Sequence, residues 1–272
     1  MNKRRLRPAM IIGACIAAAL IVIAIFAPVF APHDPVAVNM SRMLESGSAE
    51  YPLGTDQLGR CVLSRLMYGA RTSLGITCLV LAITIFIGTV IGAISGLCAG
   101  KWPDKLLTAF CEIILAFPGL ILALVISGLL GPGIFNVMLA IALVSWAKYA
   151  RVVRSLVISV RSADYIKAAK VSGTSSLHMV TRHILPNIGG AIGTIVVTDI
   201  GSTILRFAGL SFIGLGAQPP AAEWGMMINE ARLYMASCPG LIIYPVIAVT
   251  LSVFAFQLIG DGLRDRQDNK TS

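Results

Sequence analysis

Long apolar stretches separated by short polar connections run through the chain from end to end. A hydrocarbon core about 30 Å thick takes about 20 helical residues to cross. Met10–Phe30 supplies such a run directly behind Lys3, Arg4, Arg5 and Arg7. It is longer than the roughly 7–15 apolar residues of a signal peptide, so it reads as an uncleaved first span. Further spans are predicted over Leu74–Ala99, Leu106–Leu130, Ile134–Ala147, Ile188–Ile213 and Leu241–Ile259. Pro118-Gly119 predicts a kink in the third of these, because proline removes a backbone donor and clashes with the preceding turn. Gly131-Pro132-Gly133 predicts a tight turn into the fourth. The expected fold class is all-α integral membrane, with six transmembrane helices.

Three connections are long enough to hold structure of their own. In Ala31–Ser73, Pro32-His33-Asp34-Pro35 cannot continue the first helix. Further along, Leu63, Leu66, Met67 and Ala70 share a helical face, which predicts an interfacial helix over Arg60–Arg71. Lys148–Asn187 is a long basic loop. Within it, Asp164–Gly173 reads as a short helix, and Ser175 and Ser176 are N-cap candidates for a turn leading to Ile184-Leu185-Pro186-Asn187. Gly214–Gly240 holds Trp224 and Met226–Tyr234, a short helix expected to rest at the membrane interface.

Composition removes the soluble alternatives. Hydrophobic residues make up 56% of the 272 and charged residues only 13%, with a mean hydropathy of +0.82. The net charge of +9 would suit a nucleic-acid binder if it formed a patch. Instead the basic residues alternate between the two sides of the predicted spans. Sixteen of the 22 Lys and Arg fall on the side of the N-terminus, five on the other, and Arg206 lies inside a span. By the positive-inside rule both termini are cytoplasmic, and no nucleic acid is expected as a partner. The six cysteines form no C-x-x-C pair and read as small buried hydrophobes, with a Cys61–Cys238 bridge as the other reading. His33, His178 and His183 lack metal-ligand spacing and read as solvated surface residues. No metal site is expected.

Few residues in the spans carry chemistry. Gly88, Gly92, Gly96 and Gly100 recur every four residues, a stripe on which another helix can approach closely. The approaching helix belongs either to this chain or to a second subunit. Asp199 lies midway along the fifth span with Arg206 two turns later, and a carboxylate at that depth is costly. It is either an interhelical hydrogen-bonding group or a contact on a translocation pathway. Glu112, near one end of the third span, can snorkel or cap. Paired carboxylates and Ser/His or Ser/Lys pairs are missing from the spans, which counts against an intramembrane enzyme. No inverted repeat is visible, which counts against an ion-driven secondary transporter. Nor is there a Gly-x-x-x-x-Gly-Lys-Ser/Thr loop to cradle ATP phosphates.

The basic loop gives the most specific signal. Ala168-Ala169, then Gly173 four residues later, then Ile184-Leu185-Pro186 resembles the EAA loop of ABC importer permeases. Lys167 stands where that family usually has Glu. Tyr51-Pro52-Leu53-Gly54-Thr55-Asp56-Gln57-Leu58-Gly59-Arg60, with Cys61 in place of the usual Asp, resembles a signature of peptide/nickel-type permeases. Gly209–Gly216 and Phe256–Asp265 resemble their C-type subunit, so the resemblance covers Asp34 to Asp268. Trp146–Ser159, Thr198-Asp199-Ile200-Gly201 and Glu223–Arg232 look closest to nickel permeases, although dipeptide members share much of this.

The resemblance implies the type-1 ABC importer permease fold, with an N-terminal segment 1–72, a permease core 73–262 containing a coupling loop 148–187, and a tail 263–272. It implies a non-catalytic subunit of a bacterial cytoplasmic-membrane importer of nickel or, alternatively, dipeptides. Tyr165, Lys167, Ala168, Ala169, Gly173, Leu185 and Pro186 would form the loop that engages the ATPase. The implied partners are a second, B-type permease subunit, two cytoplasmic ATPases that carry the ATP-Mg, an extracytoplasmic solute-binding protein and membrane lipid. No cofactor is expected in this chain itself.

Overall fold

The computed structural model describes residues 6–164, 166 and 176–271. The long helices are α1 (Leu6–Phe30), α2 (Val62–Leu97), α3 (Trp102–Ala116), α4 (Gly119–Leu130), α5 (Ile134–Arg161), α6 (Leu185–Phe212), α7 (Trp224–Ala231) and α8 (Gly240–Thr271). The only β-type pairing among the described residues is an isolated bridge between Thr55 and Cys61. Five helical segments are long and apolar enough to cross a membrane, or six if α3 and α4 count as one broken span.

The helix bounds depart from the hydropathy reading in informative ways. No separate interfacial helix occupies Arg60–Arg71, because α2 starts at Val62 and runs unbroken for 36 residues. Nothing from Val62 to Ser73 breaks a helix, so the stretch runs on from the span, and its apolar residues Leu66 and Ala70 pack in the core with Trp224 instead of facing the interface. The fourth span does not stop at Ala147. It continues as α5 to Arg161, so Lys148, Arg151 and Arg154 lie on a helix and not in a loop. At Phe117-Pro118 the expected kink is a full break, with α3 and α4 bent by 88°.

The described chain forms two compact units. The first contains Met1–Leu79, Ile126–Leu139 and Val197–Ser272. In it α1 lies against α8 through small residues. A Cβ on Gly13 would meet the Ala255 carbonyl oxygen at 2.7 Å, and one on Gly262 would meet Met10 at 2.8 Å. Missing side chains thus allow two backbones to approach, which is how helices gain contact where burial from water offers no drive. Ala17, Ala24, Ala208, Ala248 and Ala255 continue this close-packed core, and Trp224 is buried in it. The other face of α1 carries exposed Ile21, Ile25, Phe26 and Val29, as suits contact with lipid tails.

The second unit contains Val80–Val125 and Ala140–Val196. Its axis is the glycine stripe of α2 laid on α5. A Cβ on Gly88 would reach Tyr149 Cβ at 2.5 Å, one on Gly92 the Ala150 carbonyl oxygen at 2.5 Å, and one on Gly96 Val157 at 2.7 Å. Gly100 meets nothing within 4 Å, but its φ of +84° suits a residue without a side chain where the chain leaves α2. Three of the four stripe glycines therefore face a helix of the same chain.

The cysteines among the described residues are free, including Cys61 and Cys238. Cys61 and Cys111 are buried, whereas Cys15 and Cys78 are exposed, contrary to a uniformly buried set. His33 is not simply solvated. Its ring stacks on Tyr51 at 4.3 Å and its backbone N–H donates to Ser64 Oγ at 3.0 Å. The rings of His178 and His183 stand edge to face, 6.3 Å apart.

Candidate functional site

Of the coupling-loop residues named above, Tyr165, Lys167, Ala168, Ala169 and Gly173 lie outside the described residues, whereas Leu185 and Pro186 lie within them. What the structure describes is the base from which that loop projects. Ile166, on one side of it, is buried in the same cluster as Met179, Ile184 and Ile188 on the other. Ala93, Val153 and Val157 complete the cluster, so both feet of the loop rest on α2 and α5. Burial of several aliphatic side chains at about 1.5–3 kcal/mol each makes this a firm attachment.

Polar contacts stiffen the same base. The carbonyl oxygens at the end of α2 would have no intrahelical donor, and Arg161 Nη1 donates to that of Leu97 at 2.8 Å. Asp104, 3% exposed, accepts from Arg154 Nε at 2.6 Å and Nη2 at 2.8 Å, a bidentate geometry that fixes orientation. It also accepts from Ser95 Oγ at 2.6 Å and from the Gly100 N–H at 2.9 Å. One carboxylate thus ties the end of α2, the start of α3 and the middle of α5 together.

The chain returns from the loop through a π-helical turn, Val180–Ile184, which leads into α6. Pro186 supplies the reason. It has no N–H to give, and its ring would crowd the carbonyl four residues back, so a wider turn relieves the clash. The Leu185 N–H donates instead to the Val180 carbonyl oxygen, closing that turn. Asp199 and Arg206 lie farther along α6, half-buried, each engaged in polar contact. Glu112 is exposed on α3.

A second polar centre lies in the first unit, built by residues of the Tyr51–Arg60 stretch. Gly54 and Gly59 have φ of +76° and +69°, and a Cβ on Gly59 would collide with the Asn39 carbonyl oxygen. Glycine there is a steric requirement. Between them Asp56 Oδ1 accepts from the Leu58 and Arg60 N–H groups at 2.9 and 3.0 Å, holding the turn. Its Oδ2 takes Arg60 Nε at 2.6 Å and lies 3.1 Å from Arg65 Nη1. Both guanidinium groups then reach Glu230 Oε2 of α7, at 2.8 and 2.7 Å. Two always-charged arginines face two carboxylates, and all four side chains are at most 9% exposed.

Glu223, fully buried, caps α7 by accepting from the Gly225 and Met226 N–H groups at 2.8 and 2.9 Å and from Ser73 Oγ at 3.2 Å. Burial pushes its carboxyl above the ordinary glutamate range, and the two backbone donors pull it part of the way back. Trp224 Nε1 donates to the Leu66 carbonyl oxygen at 3.0 Å, its ring lying where a Cβ on Gly69 would stand. The expected short helix is present, but it is packed into the protein instead of resting on the interface. Sequence reasoning met Asp56, Glu223 and Glu230 only inside the motifs of the family resemblance, and gave neither them nor Arg65 a role. The signal available was four charges in otherwise apolar surroundings, which call for partners.

The described residues therefore offer small-residue helix contacts, a rigidly held loop base and a buried ionic clamp. Comparison with known proteins agrees with that picture. Residues 88–272 match the family described as binding-protein-dependent transport system inner membrane component. Residues 4–46 match the N-terminal transmembrane domain of oligopeptide transport permease C. A dipeptide transport system permease of Alkalihalophilus pseudofirmus is 40% identical over 96% of this chain and 85% of its own. A nickel transport system permease of Escherichia coli K12 is 42% identical over 92% of each chain. A glutathione transport system permease of Pectobacterium atrosepticum is 40% identical over 92% of this chain and 83% of its own. Among solved structures, a chain of an inward-facing methionine ABC transporter matches 75% of this chain and 96% of its own at a TM-score of 0.61. At 15% identity that match shows the type-1 importer fold alone. The chain belongs to the multi-pass, non-catalytic membrane permeases of binding-protein-dependent ABC importers, in the peptide/nickel branch.

Proposed function

We propose that this permease couples ATP-driven motion of two separate ATPase subunits to alternating access of the membrane pathway, through the loop between α5 and α6, residues 162–184. The observation that carries the reading is the stiff base of that loop: Ile166, Met179 and Ile184 buried on α2 and α5, with Arg161 and the Asp104–Arg154 pair locking those helices. A force applied to a loop on such a base is passed to the spans instead of being lost in local bending. Tyr165, Lys167, Ala168, Ala169 and Gly173 make the contact, where small residues allow close docking. ATP shifts the equilibrium only by binding one conformation more tightly than the other. In the assembled, reconstituted importer, Gly173→Trp is expected to abolish transport while the purified chain melts normally. ATPase stimulation by loaded binding protein that survives this change would refute the coupling role.

The orientation that goes with this reading has both termini in the cytoplasm of a bacterium, the loop beside them. It is supported by the sixteen-to-five division of Lys and Arg about the spans. A second, B-type permease subunit completes the pathway, and a solute-binding protein delivers cargo from the other side. Asp199 is the residue of α6 assigned to the pathway.

For cargo we favour nickel, free or chelated, supported by the 42% identity to a nickel permease over 92% of both chains. Dipeptide is the second reading, favoured by the 40% identity to a dipeptide permease over 96% of this chain. Proteoliposomes holding the importer and its own binding protein separate the two. Uptake of radioactive nickel, unaffected by excess dipeptide, is expected. Uptake of labelled dipeptide with no nickel uptake would replace the first reading with the second.

A further inference from the structure

Helix α3 has three distinct sides. Asp104 and Cys111 face inward and are buried. On a second side Trp102, Leu106, Phe110 and Ile113 are exposed, Trp102 at 74%. On the third flank Lys101 and Lys105 are exposed, together with Glu112. Arg151 of α5, also exposed, lines a cavity of about 30 Å³ together with Thr108 and Cys111, which places a third cation beside α3. Asp104 is matched by Arg154. Lys101, Lys105 and Arg151 against Glu112 therefore leave the exposed flank net positive.

Geometry restricts how this helix can lie in a bilayer. At about 1.5 Å per residue α3 is about 22 Å long and α4 about 18 Å, and neither alone crosses a core about 30 Å thick. The 88° bend between them prevents their lengths from adding in full along one direction. Inclined at about 45° each they together cover about 28 Å, so the pair crosses the core as one broken span only with the first turns of α3 at its face. In α4 the exposed residues Leu120, Ile121, Val125 and Leu129 are all apolar, whereas α3 pairs an apolar side with a cationic one. That amphipathic division is the mark of a helix at the headgroup–acyl boundary.

We propose that the first turns of α3 lie in this boundary and, with Arg151, form a binding site for an anionic phospholipid. Lys101, Lys105 and Arg151 hold the headgroup phosphate. The acyl chains run over Trp102, Leu106 and Phe110. The charge decides the occupant: a row of cations beside exposed aliphatic and aromatic side chains complements a lipid that is anionic at one end and apolar at the other. Trp102 has the amphipathic ring favoured at that depth.

The test uses the full chain in nanodiscs containing brominated phosphatidylglycerol or brominated phosphatidylcholine. The fluorescence quenching lost in Trp102→Phe isolates the signal of Trp102 from those of Trp146 and Trp224. Phosphatidylglycerol is expected to associate at least about fivefold more strongly than phosphatidylcholine, the effect of about one cation at the surface. The preference should shrink in high salt, fall to parity in Lys101→Gln/Lys105→Gln/Arg151→Gln, and reverse in Lys101→Glu/Lys105→Glu. Should the triple variant fail to fold, the charge reversal, confined to exposed lysines, still decides. No preference in the wild type, or an unchanged preference in the variants, would overturn the site. So would loss of Trp102 quenching once the complete importer is assembled, because the face would then belong to a protein partner.

Discussion

Each compact unit contains a buried ionic centre, and the two are built to different standards. Asp56, Arg60, Arg65 and Glu230 are all nearly sealed from water and join residues up to 170 positions apart. The Asp104–Arg154 pair joins neighbouring helices, and Arg154 keeps 31% of its side chain exposed. The difference lies in what happens when a partner is lost. In the sealed centre a stranded charge has no water to turn to. In the open one Arg154 can rehydrate where it stands. A sealed centre therefore acts as an all-or-none clamp on distant segments, whereas an open one acts as an adjustable fastening near the loop that is proposed to move.

That contrast can be broken by measurement. Glu230→Ala should have the largest effect, about 3–5 kcal/mol, because it leaves two guanidinium groups facing one carboxylate. A melt of the purified chain in detergent that matched wild type would show that water already enters the centre. Next, Arg65→Met with Glu230→Leu should recover most of that loss, since the remaining Asp56–Arg60 pair is neutral and well matched. If the double variant melts no higher than Glu230→Ala, the segments are not held by charge balance. Asp104→Asn should cost less, about 1–2 kcal/mol, because the Asn oxygen still accepts from the Gly100 N–H, its NH2 can donate to Ser95 Oγ, and Arg154 can rehydrate. A loss as large as that of Glu230→Ala would erase the distinction between the two centres. Smallest of all, Arg42→Gln breaks an exposed pair with Glu50 at 2.6 Å and should leave the melting midpoint within error of wild type.

Much of the fold was legible from hydropathy, and the errors share a cause. The spans were found because a helix must be apolar for about 20 residues to cross lipid. Their ends were misplaced where a helix continues past the lipid into polar residues, as at Val62 in α2 and Arg161 in α5. Hydropathy registers the surroundings of a helix, not its hydrogen bonds. The break at Pro118 was visible, but its 88° was not, since proline permits a range of angles and packing selects one. For the site, the small-residue pattern and Ile184-Leu185-Pro186 marked the loop. The Arg161 contact with the end of α2 was not foreseeable, because 64 positions separate donor and acceptor.

By itself the sequence determined that this protein lives in lipid, which segments are helical and which branch of permeases it belongs to. Those properties depend on local composition and short motifs, which act within a few turns of a helix. Only the tertiary structure decided that Gly88, Gly92 and Gly96 meet α5 of the same chain, and that Asp56 and Glu230 share two arginines. Such pairings depend on how helices distant in sequence come together, and many arrangements satisfy the same apolar pattern until close packing and charge balance select one.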